Sequence, residues 1–204
     1  MPWCLPATAR IVDIVSSPPD PFALGTQPNS SSEHYGAQAF SDDARYVVFD
    51  SSASNLVAGD DNHDYDTFLR DRVSGTLTLV SHRPDGAPGS DQSYDGAVSG
   101  NGRYVAFWSY APDLVAGDEN GEADVFVFDR TTGLVERESV GAGGTQADGI
   151  SYAPALSRDG RYVLFLSDAT NLVAGDTNGT TDAFVRDRQL GLTLRVSVGS
   201  GGVQ

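Results

Sequence analysis

The residues best suited to chemistry in this 204-residue chain form an acidic loop that occurs three times. Each copy follows the string LVAG and places an aspartate, an asparagine two residues later and an aspartate four residues after that. Oxygen ligands at such spacing suit a hard cation such as Ca²⁺. The predicted metal ligands are Asp60, Asn62, Asp64 and Asp66 in the first copy, Asp118, Asn120 and Asp124 in the second, and Asp176, Asn178 and Asp182 in the third.

A structural role explains the same loops equally well. Aspartate and asparagine side chains cap turns by bonding to nearby backbone, and Asn-Gly is a favoured hairpin turn. Glycine follows the asparagine in the second and third copies, whereas His63 takes that place in the first. The loops lack the bidentate glutamate of an EF-hand, so any Ca²⁺ affinity should be weak. It should also be graded, because the first loop adds Asp64 and the second adds Glu122, whereas the third adds only threonines. The sequence requires no cofactor, and Ca²⁺ is the one ion it suggests.

The acidic loops belong to a repeat of 58 residues. LVAGD begins at Leu56, Leu114 and Leu172, and the flanking residues keep the same register without gaps. A fixed period of this size is typical of solenoids, propellers and arrays. Short runs of Val, Thr, Tyr and Phe between Gly, Asp, Asn and Ser indicate β-strands. Phenylalanine and tyrosine recur at strand period, so these positions are predicted to form the core.

Four antiparallel strands are predicted in each unit, which is the build of a propeller blade. In the third unit we expect them at 153–157, 162–167, 182–187 and 193–198. The fold class is therefore all-β: a β-propeller of three four-stranded antiparallel blades in a single domain, at about residues 35–83, 93–141 and 151–199. Residues 9–16 resemble a fourth strand and are predicted to be a spare strand. An open sandwich ranks second, because it need not keep one register over three units.

Three blades are too few to close a ring, since propellers have about four to eight. Open ends would expose strand edges and apolar faces that proteins normally cover. The stretch 199–204 also matches 141–146, a linker that leads into another blade. We therefore expect either a piece of a longer propeller or a unit that assembles with copies of itself.

The run from Ser157 to Ser167, the strand from Asp182 to Asp187 and the turn at Gly191 resemble the WD-like propeller repeat of TolB-type proteins. That repeat places an S-P-D-G turn between its first two strands. Here Arg158 stands where proline is usual, and the LVAGD insertion lengthens the blade. The resemblance implies an exported bacterial scaffold, periplasmic or extracellular, that binds proteins or other ligands. It implies no particular chemistry.

Charge excludes several function classes. The net charge is −15, and all 13 basic residues are arginines. Scattered arginines among more numerous acids argue against nucleic acid and anionic membrane surfaces as partners. Without lysine there is no Walker A loop and no Schiff-base chemistry. Cys4 is the only cysteine, and no apolar run approaches the ~20 residues that span a bilayer, so we expect no membrane insertion. The first residues also lack the apolar segment of a signal peptide, which leaves the compartment open.

The function these features favour is a non-catalytic scaffold that binds a protein, peptide or other ligand. Two alternatives stay open: part of a propeller hydrolase or lyase whose catalytic residues are not recognisable, and a calcium-stabilised structural repeat. The three histidines fall at unrelated repeat positions and predict no site. The repeated Asp-Arg pairs, such as Asp129 with Arg130, and the series Arg45, Arg103 and Arg161 are predicted to be hairpin-turn acids and blade-to-blade salt bridges rather than the lining of a ligand surface.

Overall fold

The computed structural model describes residues 27–36 and 38–199. The predicted spare strand at 9–16 and most of the predicted linker at 199–204 lie outside these residues.

Three four-stranded sheets make up the described chain. The first contains β1 (Ser32–Glu33), β2 (Tyr46–Ser51), β3 (Asp66–Asp71) and β4 (Leu77–Leu79). The second contains β5 (Ser93–Val98), β6 (Tyr104–Ser109), β7 (Asp124–Asp129) and β8 (Leu134–Arg137). The third contains β9 (Ser151–Leu156), β10 (Tyr162–Ser167), β11 (Asp182–Asp187) and β12 (Leu192–Arg195).

Within each sheet the strands pair antiparallel in chain order, so every sheet is a four-stranded meander. The predicted all-β fold is confirmed, and over the described residues the sheets do not close into a ring. In the third unit, the predicted strands 162–167 and 182–187 are confirmed. The first strand spans Ser151–Leu156 rather than 153–157 and contains a bulge, and the fourth spans Leu192–Arg195 rather than 193–198. No helix in 27–36 or 38–199 is long and apolar enough to cross a membrane.

A phenylalanine pair lies at the centre of each sheet. Phe107 and Phe126 are register partners on neighbouring strands, and their stacked ring centres lie 5.6 Å apart. The equivalent pairs, Phe49 with Phe68 and Phe165 with Phe184, repeat this geometry. All six side chains are fully buried, which confirms the phenylalanine positions of the predicted core; of the recurring tyrosines, Tyr46 is buried and Tyr162 is 40% exposed. Burying one such side chain contributes about 1.5–3 kcal/mol to stability.

The same face of each sheet packs against the sheet before it. Phe107 and Phe126 contribute to one cluster with Tyr46, Val48 and Leu69 of the first sheet. The third sheet repeats the contact, because Phe165 and Phe184 cluster with Ala106, Val125 and Val127 of the second. Each blade therefore presents phenylalanines to the preceding blade and smaller aliphatic residues to the next one.

The arginines at positions 45, 103 and 161, predicted to form blade-to-blade salt bridges, instead bind an aspartate of their own sheet. Arg103 donates through Nε and Nη2 to the two carboxylate oxygens of Asp129, at 2.9 and 2.7 Å. The register explains this correction: Arg103 precedes Tyr104, and Tyr104 pairs with Asp129 across β6 and β7. Asp129 also accepts the Thr131 backbone N–H, so its predicted role as a hairpin-turn acid is confirmed. The other pairs, Arg45 with Asp71 and Arg161 with Asp187, have the same geometry.

In the second and third sheets, the arginine that follows this aspartate does connect neighbouring sheets. The guanidinium of Arg130 lies 4.3 Å from the ring centre of Tyr46 in the preceding sheet. Arg188 lies in the same way over Tyr104, at 4.6 Å. Stacking on an aromatic ring suits the planar guanidinium, so the blades are joined by cation–π contacts as well as by apolar packing.

Candidate functional site

The three acidic loops connect the second and third strands of their sheets, and the asparagine of each loop shapes a turn. The side-chain oxygen of Asn62 accepts the Asp64 backbone N–H at 3.1 Å. Asn120 and Asn178 make the same bond two residues downstream, at 3.0 and 3.1 Å. The turn-capping role predicted for the asparagines is therefore confirmed. Glycine follows two of them with positive φ, and His63 adopts the same left-handed conformation at φ 63°.

In the second loop, an arginine lies between the two aspartates. Nη1 of Arg137 is 3.4 Å from Asp118 and 3.3 Å from Asp124. Nε2 of Gln146 donates to the same two carboxylates, at 2.7 and 3.1 Å. Burial raises the pKa of both Asp118 and Asp124, and the hydrogen bonds and the arginine oppose that shift. The guanidinium of Arg137 therefore supplies a positive charge that offsets these two carboxylates.

In the third loop, an arginine likewise lies between the two aspartates. Nη1 of Arg195 lies 2.9 Å from Asp176 and 3.5 Å from Asp182. Asn178 donates to Asp182 at 3.0 Å. Hydrogen bonding from Ser197, aided by Asn178 and Arg195, lowers the pKa of Asp182. The two aspartates are thus held by donors of their own blade.

The first loop has no such arginine. Asp66 is fully buried and accepts hydrogen bonds from Ser81 at 2.7 Å and from Asn62 at 2.9 Å. Asp60 is 6% exposed, and no hydrogen bond or ion pair to its carboxylate occurs among the described residues. Burial raises the pKa of Asp66 to about 7, with a smaller contribution from the charge of Asp60. Burial also raises the pKa of Asp60 to about 6.

Each acidic loop thus brings two of its predicted ligands, the first and last aspartates, to one place. Over 27–36 and 38–199, no three His, Cys, Asp or Glu side chains gather as a group able to hold a metal ion. A cation at one of these loops would therefore depend on two carboxylates together with carbonyl, amide or water oxygens. The metal assignments for the three loops stay a prediction. Sequence reasoning overlooked Arg137 and Arg195, which could have been found by comparing the fourth strands position by position.

A charged groove of about 910 Å³ lies between the second and third sheets. Glu138 is buried there, and Arg188 Nε lies 2.5 Å and Arg186 Nε 3.6 Å from its carboxylate. Arg188 also bonds to Glu136 at 3.0 Å. Burial raises the pKa of Glu138, which the two arginines oppose. This is a blade-to-blade salt bridge, and it stabilises the sheet interface around the groove.

The outer face of the third sheet carries exposed apolar side chains. Leu164 is 41% exposed, whereas Ala106, its equivalent in the second sheet, is fully buried against the third sheet. Leu192 and Leu194 of β12 are exposed as well. Among the described residues, no further sheet covers this face.

No family model matches this sequence, and no curated protein matches it either. Two solved structures are similar in fold. One is a TolB-type protein from Agrobacterium tumefaciens, 17% identical with a TM-score of 0.50, where the match covers 81% of this chain and 48% of that one. The other is oligogalacturonate lyase from Vibrio parahaemolyticus, 13% identical with a TM-score of 0.50, where the match covers 83% of this chain and 41% of that one.

The chain spans less than half the length of either structure. One of these proteins carries the name of a lyase and the other does not, and at these identities the likeness shows the fold alone. Together with the three four-stranded antiparallel sheets, it shows that this chain has a β-propeller fold.

Proposed function

We propose that the chain is a non-catalytic propeller scaffold that binds a protein or peptide, as part of a larger exported bacterial propeller. In this proposal residues 35–83, 93–141 and 151–199 act as three blades of one domain. The third blade receives a further blade of the same repeat, from more of the same protein or from a second copy.

The exposed face of the third sheet is the observation that carries this proposal. The repeat places Leu164 where the second sheet has Ala106, and it places Tyr162 where that sheet has Tyr104. In the second sheet these positions pack against the next blade, which also supplies Arg188 to the ring of Tyr104. In the third sheet, Tyr162 and Leu164 are 40% and 41% exposed. The face that the second sheet buries against the third is thus exposed on the third sheet itself. Exposed apolar patches of this kind mark interaction sites.

The repeated arginines and aspartates bind one another, which supports a structural role for them over a catalytic one. Arg103 is held by Asp129, and Arg137 is held by Asp118 and Asp124. Such pairs stabilise turns and loops; the Arg103 pair is matched in both other blades, and the Arg137 pair is matched in the third. The similarity to a lyase concerns the fold and identifies no catalytic residues in this chain. The alternative that the chain is part of an enzyme therefore stays a prediction.

Sedimentation velocity over a range of protein concentrations tests the proposal. We expect the chain to self-associate through the face of the third sheet, because an uncovered blade face is apolar. Leu164→Asp should weaken that association about tenfold or more, since it buries a charge in the contact. Leu134→Asp is the matched control, because Leu134 is an exposed leucine of the second sheet rather than the third, and it should change little. A wild-type chain that stays monomeric at every concentration would refute the proposed contact.

A further inference from the structure

The first blade differs from the other two at the residue that neutralises the acidic loop. On β4, Leu79 pairs with Phe68, just as Arg137 pairs with Phe126 on β8 and Arg195 pairs with Phe184 on β12. The strand register therefore makes Leu79 the structural equivalent of the two arginines. A leucine side chain carries neither charge nor a hydrogen-bond donor.

The second donor of that site has also been replaced in the first blade. Pro88 forms a bridge with His82, as Gln146 does with Val140, so Pro88 occupies the position of Gln146. In the second blade, Gln146 donates to both Asp118 and Asp124. Proline has no side-chain donor and no backbone N–H. Both replacements remove donors from the same pair of carboxylates.

The carboxylates themselves are retained. Asp66 is fully buried and bonded to Ser81 and Asn62, whereas Asp60 is 6% exposed and has no hydrogen-bond or ion-pair partner among the described residues. A buried carboxylate without a partner costs several kcal/mol when it is ionised. The first loop also carries Asp61 and Asp64 beside this pair, as the second carries Glu119 and Glu122, but without the second loop's arginine. The second and third blades show what relieves such a charge: a cation between the first and last aspartates.

We propose that the first acidic loop is a Ca²⁺ site, with Asp60 and Asp66 as its carboxylate ligands. The ion takes the place that the guanidinium of Arg137 holds in the second blade. Asn62 positions the loop rather than binding the ion, because its amide nitrogen donates to Asp66 and Gly89 and its oxygen accepts the Asp64 N–H. The remaining ligands are then backbone or water oxygens. Ca²⁺ tolerates such an irregular set, whereas Mg²⁺ demands near-octahedral geometry.

Calorimetric titration with CaCl₂ and thermal melting in Ca²⁺ or EDTA test this site on the full chain. We expect a single Ca²⁺ to bind, and Tm to rise by about 5–10 °C when Ca²⁺ is about 100 times Kd. Asp60→Asn should reduce the affinity about tenfold or more, since it removes a ligand charge. Leu79→Arg combined with Pro88→Gln restores the donors of the second blade. It should abolish the Ca²⁺ response and raise Tm in EDTA above that of the wild type.

Glu122→Gln is the matched control, because it removes an exposed carboxylate from the second loop, where Arg137 already neutralises the aspartates. It should leave the Ca²⁺ affinity unchanged. No binding heat and no Tm rise in the wild type would overturn the proposal. Binding that survives both Asp60→Asn and the Leu79→Arg, Pro88→Gln double variant would also overturn it. If the double variant does not fold, Asp60→Asn alone decides. Since self-association does not enter these readouts, this site can fail or hold independently of the proposed scaffold function.

Discussion

The guanidinium of Arg188 lies over the ring of Tyr104, 4.6 Å from its centre, and so joins the third sheet to the second. The same guanidinium bonds to Glu138, which is buried in the interface. One arginine thus caps an aromatic ring and neutralises a buried acid. Its planar group can stack and bond at once, which a lysine ammonium cannot.

Replacing Arg188 should therefore weaken the interface between the second and third sheets. Arg188→Ala leaves Glu138 buried with only the more distant Arg186, so we expect the free energy of unfolding to fall by about 3 kcal/mol. Urea denaturation measures this. Arg72→Ala is the control, because Arg72 is the exposed equivalent in the first sheet and should cost about 1 kcal/mol or less. Equal losses for the two variants would contradict the assigned role.

The turn between the first two strands of each blade offers a test of backbone strain. Ala44 has φ 53° at the position where the second blade has Gly102, with φ 69°. A non-glycine residue in this region costs about 1–2 kcal/mol, so Ala44→Gly should stabilise the protein by about 1 kcal/mol.

The reverse change, Gly102→Ala, should destabilise the protein by more than that amount. A Cβ at Gly102 would overlap the ring of Tyr46, so steric overlap adds to the strain. Gly133→Ala is its control, since Gly133 has a similar φ of 73° with open space around the Cβ. Thermal melting should rank the loss for Gly102→Ala well above that for Gly133→Ala. A reversed order would show that the ring of Tyr46 does not limit this position.

Asp50 should make stability fall as pH rises. Burial raises its pKa to about 7, against hydrogen bonds from Thr67 and the Asp95 backbone. Because the folded state then binds a proton that the unfolded state releases near pH 4, the free energy of unfolding decreases between about pH 4 and 7. Asp50→Asn removes this dependence. Relative to wild type, the variant should gain up to about 1.4 kcal/mol per pH unit from pH 5 to 7, measured by urea denaturation in EDTA. Parallel pH profiles would contradict the assignment.

Asp129 should give stability the opposite dependence on pH. The two hydrogen bonds from Arg103 lower its pKa to about 2. Its contribution to stability is therefore complete above the unfolded value near pH 4 and is lost as pH falls toward 2. We expect Asp129→Asn to cost about 1 kcal/mol at pH 7, a modest figure because Arg103 is partly exposed, and almost nothing at pH 2. Acid unfolding followed by circular dichroism should show a shallower acid limb for the variant; an unchanged limb would mean that the pair contributes nothing.

The sequence alone determined the repeat, the fold class and the positions of the central strands. Alternation along a strand decides which face a side chain occupies, so the buried roles of Phe107 and Phe126 could be predicted from their neighbours. Turn chemistry is equally local, and the Asn62 turn followed from the residues beside it. The bulge at the start of β9 was overlooked, because nothing in the local pattern marks an extra residue.

Only the tertiary structure decided which charges meet. Arg137 and Asp124 are 13 residues apart and come together because β7 and β8 pair in one particular register. Arg103, which the sequence predicted to bridge blades, instead binds Asp129, 26 residues away in the same sheet. Periodicity encodes the direction of a side chain but not its partner across a strand pair or a loop. For the same reason, only the sheet register shows that Leu79, which pairs with Phe68, occupies the position of the arginine that contacts the loop aspartates in the other two sheets.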